Sequence, residues 1–415
     1  MSKKIKIMTL SDHPLSPSGV AHQTKLMIDA MVKTGKFEFV CLGGAIRHED
    51  YQPMRTSEWG EDVVIVPIDG YGNPDMIRSF IRTEKPDILW FMTDPRFFGW
   101  LWEIEDEIRP VVPMMYYHVW DNLPYPTFNR PYYDSNDAIV TISKVTDDIV
   151  RNVAPEVECI YLPHSVNNKV FQADEDLRRE SRKSQGIDDK FVILYNSRNA
   201  RRKQPGTLIY CFKEFLDRVG NDKARLIMHT QPYDQVGQNL ESIVRELGLI
   251  NGEVQFSTSR LTQQQLAALY NMADVTINIA DAEGFGLSTL ESLSCEKPII
   301  VTMTGGLQQQ VTDGENWFGV GIKPSASAVI GSQEIPWIYE DRVSNEDVID
   351  ALEKIYNMSH EDRVKMGKAG REYVLKEYHH DDYGQRWEKV FTEFHEKNGS
   401  WETRTNYNNW RFVKV

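Results

Sequence analysis

The sequence predicts an α/β protein built from two doubly wound parallel sheets, and three observations carry that reading. Short apolar runs alternate with helix-like segments from the first residues onward. The alternation breaks once, in a strongly charged stretch between Asn167 and Asp189. It then restarts with the same rhythm. A chain of 415 residues has room for about two to three domains. Its 41% hydrophobic and 26% charged residues make a globular balance that excludes disorder and collagen-like repeats.

Taken in order, Lys4 to Leu10 reads as a strand, Ala21 to Val32 as a helix and Phe37 to Leu42 as the next strand, the β-α-β rhythm of a parallel sheet. Further strands are expected at Val63 to Pro67, Ile88 to Met92, Val112 to Tyr117, Ile139 to Ile142 and Cys159 to Leu162, with helices near Met76 to Arg82 and Lys144 to Asn152. These form a first doubly wound domain over 1–165. Residues 166–190 carry Asp174 through Glu180, a run of six charges broken only by an apolar leucine, and read as a linker. Strands then resume at Val192 to Tyr195, Arg225 to His229, Val254 to Ser257, Val275 to Ile279, Ile299 to Thr302 and Phe318 to Ile322. Helices at Leu208 to Arg218, Leu240 to Leu247, Thr262 to Asn271 and Leu287 to Cys295 fit between them. Helical segments at Asn345 to Met358, Glu361 to Glu377 and Tyr383 to Glu396 follow, so a second domain is expected over 191–380 and a helix with tail over 381–415, packing back on the first domain. Ser325 to Trp337 reads as an inserted loop. Ligands of such sheets bind outside the carboxyl ends of the strands, which makes a cleft between the two domains the expected site.

Lys and Arg number 47 against 61 Asp and Glu, a net charge of −14. Long-range attraction to nucleic acid or anionic lipid is absent, and any such partner needs a local basic site. Cys41, Cys159, Cys211 and Cys295 show no CxxC spacing and sit in or beside apolar runs, as buried thiols of a reducing compartment do. No run reaches the ~18 apolar residues of a membrane span, and the amino terminus has no signal-peptide core, so a cytoplasmic protein is expected.

Three segments carry chemistry. After the first strand, Ser18 and Gly19 open a helix where converging amides suit a phosphate, or make an ordinary glycine turn. After Phe191 to Tyr195 comes a cluster of cations, Arg198, Arg201, Arg202 and Lys203, which suits a diphosphate or forms a solvated basic loop. Finally, Glu283 and Glu291 stand eight positions apart around a glycine-bracketed helix start, Gly284-Phe285-Gly286-Leu287. The amides there can meet an anion, and a carboxylate can accept from two sugar hydroxyls. A loop charge and a helix-surface residue are the alternative readings of the two acids.

With these motifs the chain resembles a retaining glycosyltransferase of the GT-B fold, similar to glycosyltransferase family 4. Glu283 and Glu291 match its Glu-x7-Glu motif, and Arg198 and Lys203 its Arg-x4-Lys clamp. Gly19, His118, the segment Pro163 to Phe171, and Gly305 with Gly306 extend the likeness. Departures are Ser197 where glycine usually precedes the clamp arginine, His164-Ser165-Val166-Asn167 for the usual Asn-Gly-Val-Asp, and Gln308, Gln309 and Gln310 where a Glu is common. The resemblance implies two Rossmann-like domains facing across a cleft and transfer of a sugar from a nucleoside-diphosphate sugar, with a UDP-sugar as the expected donor. It implies that Glu291 holds the ribose, Glu283 and the amides of Phe285, Gly286 and Leu287 the donor sugar, and Arg198 with Lys203 the leaving diphosphate. By the same likeness Gly19 belongs to the donor site and His118 faces the transferred sugar.

Preorganised cations can stabilise a leaving diphosphate without metal, and no metal or other cofactor is expected. The one acidic candidate for a metal loop, Asp174-Glu175-Asp176, lies in the charged stretch, and the adjacent His379 and His380 lack zinc-ligand spacing. The aromatic stretch Tyr116 to Tyr133 offers Trp120 and Tyr125 for stacking on an acceptor and Asp121 for its hydroxyl. Residues 1–165 hold 16 Lys plus Arg against 24 Asp plus Glu, which disfavours a polyanionic acceptor. A glycan, lipid or small molecule is expected. The chain also resembles in style glycosyltransferases carried by large DNA bacteriophages, some of which decorate DNA bases, which implies a hydroxylated DNA base as a further candidate. The tail from Trp401 through Arg404, Trp410, Arg411 and Lys414 mixes cations and aromatics, suited to packing on the first domain or to nucleic acid. A non-catalytic sugar-nucleotide-binding relative is the alternative function; a GT-B epimerase or phosphorylase would need a nicotinamide fingerprint or pyridoxal lysine context.

Overall fold

The computed structural model describes residues 3–407. The chain divides into two units, Met1–Ser165 with His380–Val415, and Val166–His379.

The first unit holds a parallel sheet of β1 (Ile5–Asp12), β2 (Phe37–Gly44), β3 (Val63–Pro67), β4 (Ile88–Met92), β5 (Met114–His118), β6 (Ala138–Thr141) and β7 (Cys159–Tyr161), ordered β3-β2-β1-β4-β5-β6-β7. Central strands of such a sheet are covered on both faces and therefore read as unbroken apolar runs. β4, Ile-Leu-Trp-Phe-Met, is buried throughout. The helix Gly19–Lys33 follows β1 and is capped by Ser18, whose hydroxyl accepts from the Ala21 amide at 3.0 Å. The helix His380–Asn398 belongs to this unit. It inserts Trp387, fully buried, against Tyr117 and Trp90, with ring centroids 5.0 and 6.0 Å away. Beyond it, Trp401 donates to the Pro86 carbonyl at 3.0 Å and Arg404 pairs with Asp137 at 2.7 Å. Trp410, Arg411 and Lys414 lie outside the described residues.

The second unit repeats the architecture with β8 (Phe191–Asn196), β9 (Ala224–His229), β10 (Val254–Ser257), β11 (Val275–Asn278), β12 (Ile299–Thr302) and β13 (Gly319–Ile322), ordered β10-β9-β8-β11-β12-β13. Its core joins Ile193, Phe212, Leu226 and Ile277 to Leu352 of the helix Asn345–Asn357.

Two expectations are corrected here. The charged stretch is no linker: Glu175–Gln185 is a helix of the second unit. Its ends are well made, with Asp174 accepting from the Leu177 amide, acids in the first turn, bases in the last and Gly186 at φ 64° as the left-handed stop. Two of its charges are used inside the fold: Arg178 and Arg182 reach Asp274 at 2.6 and 3.1 Å. The inserted loop is an antiparallel hairpin, β14 (Ala326–Ile330) and β15 (Ile338–Arg342), with Val329 opposite Tyr339 and Ala328 opposite Glu340.

Of the four cysteines, three are buried, Cys159 is half-buried, and all are free thiols. Burial pushes Cys41 and Cys211 up to about 12. Among the described residues no helix is long and apolar enough to cross a membrane.

Candidate active site

In the second sheet the order of strands turns between β8 and β11, and the loops leaving their carboxyl ends diverge there, which is where ligands of doubly wound sheets bind. The β8 loop supplies Arg198 to Gln204 and the β11 loop supplies Asn278 to Gly286.

Lys203 ends the short 3-10 turn Arg201–Lys203, and its ammonium is ion-paired with the Glu283 carboxylate. Only 9% and 17% of the two side chains is exposed. Asn278 donates to the same carboxylate oxygen of Glu283 at 3.2 Å. Burial pushes the Glu283 carboxyl up, but Lys203 and Arg202 outweigh it and leave the group below its ordinary value, so Glu283 is an anion. A buried ammonium held in place by a carboxylate is a preorganised positive charge of the kind that stabilises an anionic ligand.

Glu291 lies in the helix Leu287–Ser294 and is buried, not a surface residue. The Tyr270 hydroxyl donates to its Oε2 at 2.7 Å, and Asn196 at the end of β8 donates to that hydroxyl at 2.7 Å. Its Oε1 carries no hydrogen bond among the described residues. Burial raises the Glu291 carboxyl to about 7, against the partial relief of the Tyr270 bond. Such a carboxyl gains from any hydroxyl that comes to pair with its open oxygen.

The glycines have a geometric purpose. Gly286 holds φ 92° where the chain turns into the helix, and a Cβ there would sit 2.5 Å from a Leu307 methyl. A Cβ on Gly306 would stand 2.6 Å from the Gly284 carbonyl oxygen and the Phe285 Cα, while the Gly306 amide donates to the Glu283 carbonyl at 3.0 Å. The pair Gly305 and Gly306 thus lets the β12 loop press backbone to backbone on the β11 loop. Gln310 secures the contact: it donates to the Phe285 carbonyl at 2.7 Å and accepts from Thr289 at 2.6 Å, fully buried. Phe285 itself is buried, its ring 5.8 Å from Tyr378. Leu287 is half-buried at the first helical position.

Arg198 is placed differently from Lys203. Two-thirds of its side chain is exposed, and it forks onto Asp234, in the loop after β9, at 2.8 and 3.1 Å. The spacing Arg-x4-Lys thus puts both cations on one loop without bringing their head groups to one partner.

In the first unit Gly19 is exposed at the start of its helix, as expected, though the adjoining Ser18 hydroxyl already donates to Asp12. His118 and Trp120 are both buried within the first unit. His118 ends β5, a strand covered on both faces; its ring is fully buried between Tyr116 and Tyr133, and Tyr133 bonds its Nε2 at 2.7 Å. Burial lowers it to about 3, so it is neutral, and its Nδ1 has no hydrogen-bond partner among the described residues. Trp120 is buried against Phe128 and donates to the Asn122 carbonyl at 2.8 Å, a packing residue in this structure. Asp121 is half-buried in the same loop, and Tyr125 is exposed with its hydroxyl donating to Asp148 at 2.8 Å. Among the described residues no three metal-ligating side chains cluster, and Asp174 caps its helix.

Sequence reasoning missed Asn278, Tyr270, Gln310 and Asp234, whose importance lies in partners far along the chain. Of these only Gln310 left a signal, as one of the glutamines that depart from the resembled motif.

Residues 178–373 match the family described as Glycosyl transferases group 1. The chain is 29% identical over 205 residues to the GDP-mannose-dependent alpha-(1-6)-phosphatidylinositol monomannoside mannosyltransferase of Mycolicibacterium smegmatis, covering 47% of this chain and 52% of that protein. It is 27% identical to the D-inositol 3-phosphate glycosyltransferase of Paenarthrobacter aurescens over 49% of this chain and 48% of the relative. The chain therefore spans about half the length of these relatives. Among solved structures, sucrose-phosphate synthase from Thermosynechococcus elongatus superposes with a TM-score of 0.76 at 16% identity, over 95% of this chain and 100% of that one. Anabaena HepE in complex with UDP-glucose gives 0.70 at 13%, over 94% and 100%. The fold is GT-B, and the second unit carries the match to glycosyl transferases group 1.

Proposed function

We propose that this chain is a retaining glycosyltransferase that moves a sugar from a nucleoside-diphosphate sugar to an acceptor hydroxyl without a metal ion. The observation that carries the reading is the buried Lys203 ammonium, paired with Glu283 beside the Gly286 helix start at the turning point of the second sheet. Lys203 and the amides at the helix start take the leaving diphosphate, and Arg198 joins them on exchanging Asp234 for phosphate. The open oxygen of Glu291 pairs with the ribose, and Glu283 accepts from hydroxyls of the donor sugar.

The bond between the anomeric carbon and the phosphate oxygen breaks, and the electron pair leaves with the diphosphate, where the fixed cations stabilise it. The acceptor oxygen bonds to the anomeric carbon on the same face, and its proton passes to the departing phosphate oxygen. No enzyme nucleophile is used, and the anomeric configuration is kept. His118 acts in this reading by holding Tyr133 and the β5 end in place.

A UDP-sugar is the first donor to test, supported by the UDP-glucose complex of HepE, and a GDP-sugar the second, supported by the GDP-mannose-dependent relative. The acceptor is a glycan, lipid or small molecule, in keeping with the acidic first domain, or a hydroxylated DNA base, and the protein works in the cytoplasm. A screen of nucleotide sugars in excess EDTA, read by mass spectrometry for sugar transfer to glycan, lipid, inositol phosphate and hydroxylated-DNA acceptors, tests this. Transfer from one donor class supports it. Absence of transfer and of donor hydrolysis for every donor, or activity strictly dependent on added Mg²⁺ or Mn²⁺, contradicts it.

A further inference from the structure

The hairpin β14–β15 is tied to the clamp loop by a buried ionic network. Glu340, on β15, is 4% exposed and receives both guanidinium nitrogens of Arg201 at 2.8 and 2.7 Å. Asp281, 2% exposed in the β11 loop, pairs with Arg342 of β15 at 2.6 Å and accepts from the Gln204 side chain at 2.7 Å. Arg342 also reaches Glu340 at 3.3 Å. The backbone adds two bonds: the Asp341 amide donates to the Asp281 carbonyl at 2.8 Å, and the Asp281 amide donates to the Arg202 carbonyl at 2.8 Å.

Every residue from 201 to 204 is therefore held: Arg201 by the hairpin, Arg202 by the β11 backbone, Lys203 by Glu283, Gln204 by Asp281. Two carboxylates this deeply buried cost far more in desolvation than a surface loop could recover, unless the geometry they fix is itself useful. What they fix is the turn that aims the Lys203 ammonium. The opposite face of the hairpin leaves Val329, Trp337 and Tyr339 exposed, so the hairpin meets the rest of the unit through this polar face.

We propose that the β14–β15 hairpin is a positioning device for the diphosphate loop, acting through Glu340 on Arg201 and through Arg342 on Asp281; this rests on the donor-site reading above. Neither Glu340 nor Arg201 is a catalytic residue. They act through the placement of Lys203, and so bear on the diphosphate and not on the nucleoside.

The full chain, Glu340→Gln, Arg201→Met and the double variant are titrated with UDP and with GDP by calorimetry, and with uridine and guanosine by ligand-observed NMR. Arg201→Met leaves the buried Glu340 carboxylate without its main partner, so denaturant unfolding is measured beside each titration, and the double variant, which removes both charges, keeps the comparison readable where a single variant strains the fold. The nucleoside diphosphate that the wild type binds is expected to weaken about tenfold in either single variant and no further in the double, as members of one pair do. Nucleoside affinity stays within about twofold, and Arg201→Lys recovers part of the loss. Unchanged diphosphate affinity in both single variants overturns the positioning role and leaves the donor site standing. An equal fall for nucleoside and diphosphate overturns it as general damage. A wild type that binds neither UDP nor GDP overturns the donor site itself, and the inference with it.

Discussion

The two sheets turn their strand order at equivalent places, between β1 and β4 in the first and between β8 and β11 in the second, yet the loops beyond them hold opposite chemistry. In the first unit Asp12 accepts from Ser18 and from Tyr71, the latter at 2.6 Å, and Asp94 accepts from the Arg96 amide at 3.0 Å and its side chain at 2.9 Å. These acids are answered by hydroxyls, a backbone amide and one part-exposed arginine, not by a buried ion pair. In the second unit Lys203, Asp281 and Glu340 are buried charges, and Glu283 a half-buried one, in ion pairs with residues of distant segments. One architecture therefore supports a turning point without buried ion pairs and one lined by them, and the proposed function places the diphosphate at the second.

Removing the charge should break the contrast most severely. Lys203→Ala is expected to lower turnover by ~10²-fold or more, the scale for one preorganised charge donor, with Arg198→Ala the milder because Arg198 stands exposed on Asp234. Steady-state kinetics at saturating donor check this, and near-wild-type turnover in both variants refutes the assignment.

Glu291 sharpens the comparison through stability. Its folded value of about 7 stands above the ordinary 4.5, so folding favours the protonated form. That contribution is complete below about 4.5 and is lost as pH rises through about 7. Glu291→Gln, which keeps an acceptor for Tyr270, should therefore be the more stable protein at pH 8 by about 3 kcal/mol and lose most of that advantage at pH 5, while binding nucleotide more weakly. Denaturant unfolding at the two pH values measures the difference. A variant less stable than wild type at pH 8 contradicts the buried-carboxyl account.

Gly306→Ala probes the backbone contact between the β12 and β11 loops. The added methyl meets a carbonyl oxygen and a Cα, neither of which can rotate away, so about 2 kcal/mol of stability should be lost together with donor affinity. Unfolding and nucleotide titration at wild-type level would show that the loops have slack. Asp12→Asn is the smallest change: it weakens the Ser18 and Tyr71 bonds for about 1 kcal/mol and leaves nucleoside-diphosphate affinity within about twofold. A large loss of affinity there would erase the distinction between the two turning points.

Most of the scaffold was legible in the sequence because buried parallel strands announce themselves as unbroken apolar runs; β4 and β12 are plain instances. What was misread depended on distance along the chain. The helix Glu175–Gln185 looked like a solvated linker because its arginines find Asp274 some ninety residues later. The hairpin gave no sign of its role, since Glu340 pairs with Arg201 at a separation of 139 residues. Of the site, the cation cluster and the acid pair were visible as local motifs, whereas Trp120 and His118 were aromatic or polar residues whose burial only the packed sheet determines.

The most direct test is a crystal structure of the protein with the nucleoside diphosphate it binds, grown in excess EDTA. The account predicts the diphosphate against the Lys203 ammonium and the amides at the Gly286 helix start, Arg198 turned from Asp234 to a phosphate oxygen, and the ribose hydroxyls on Glu291. A diphosphate bound away from Lys203, or held there only when a divalent ion is restored, would contradict it.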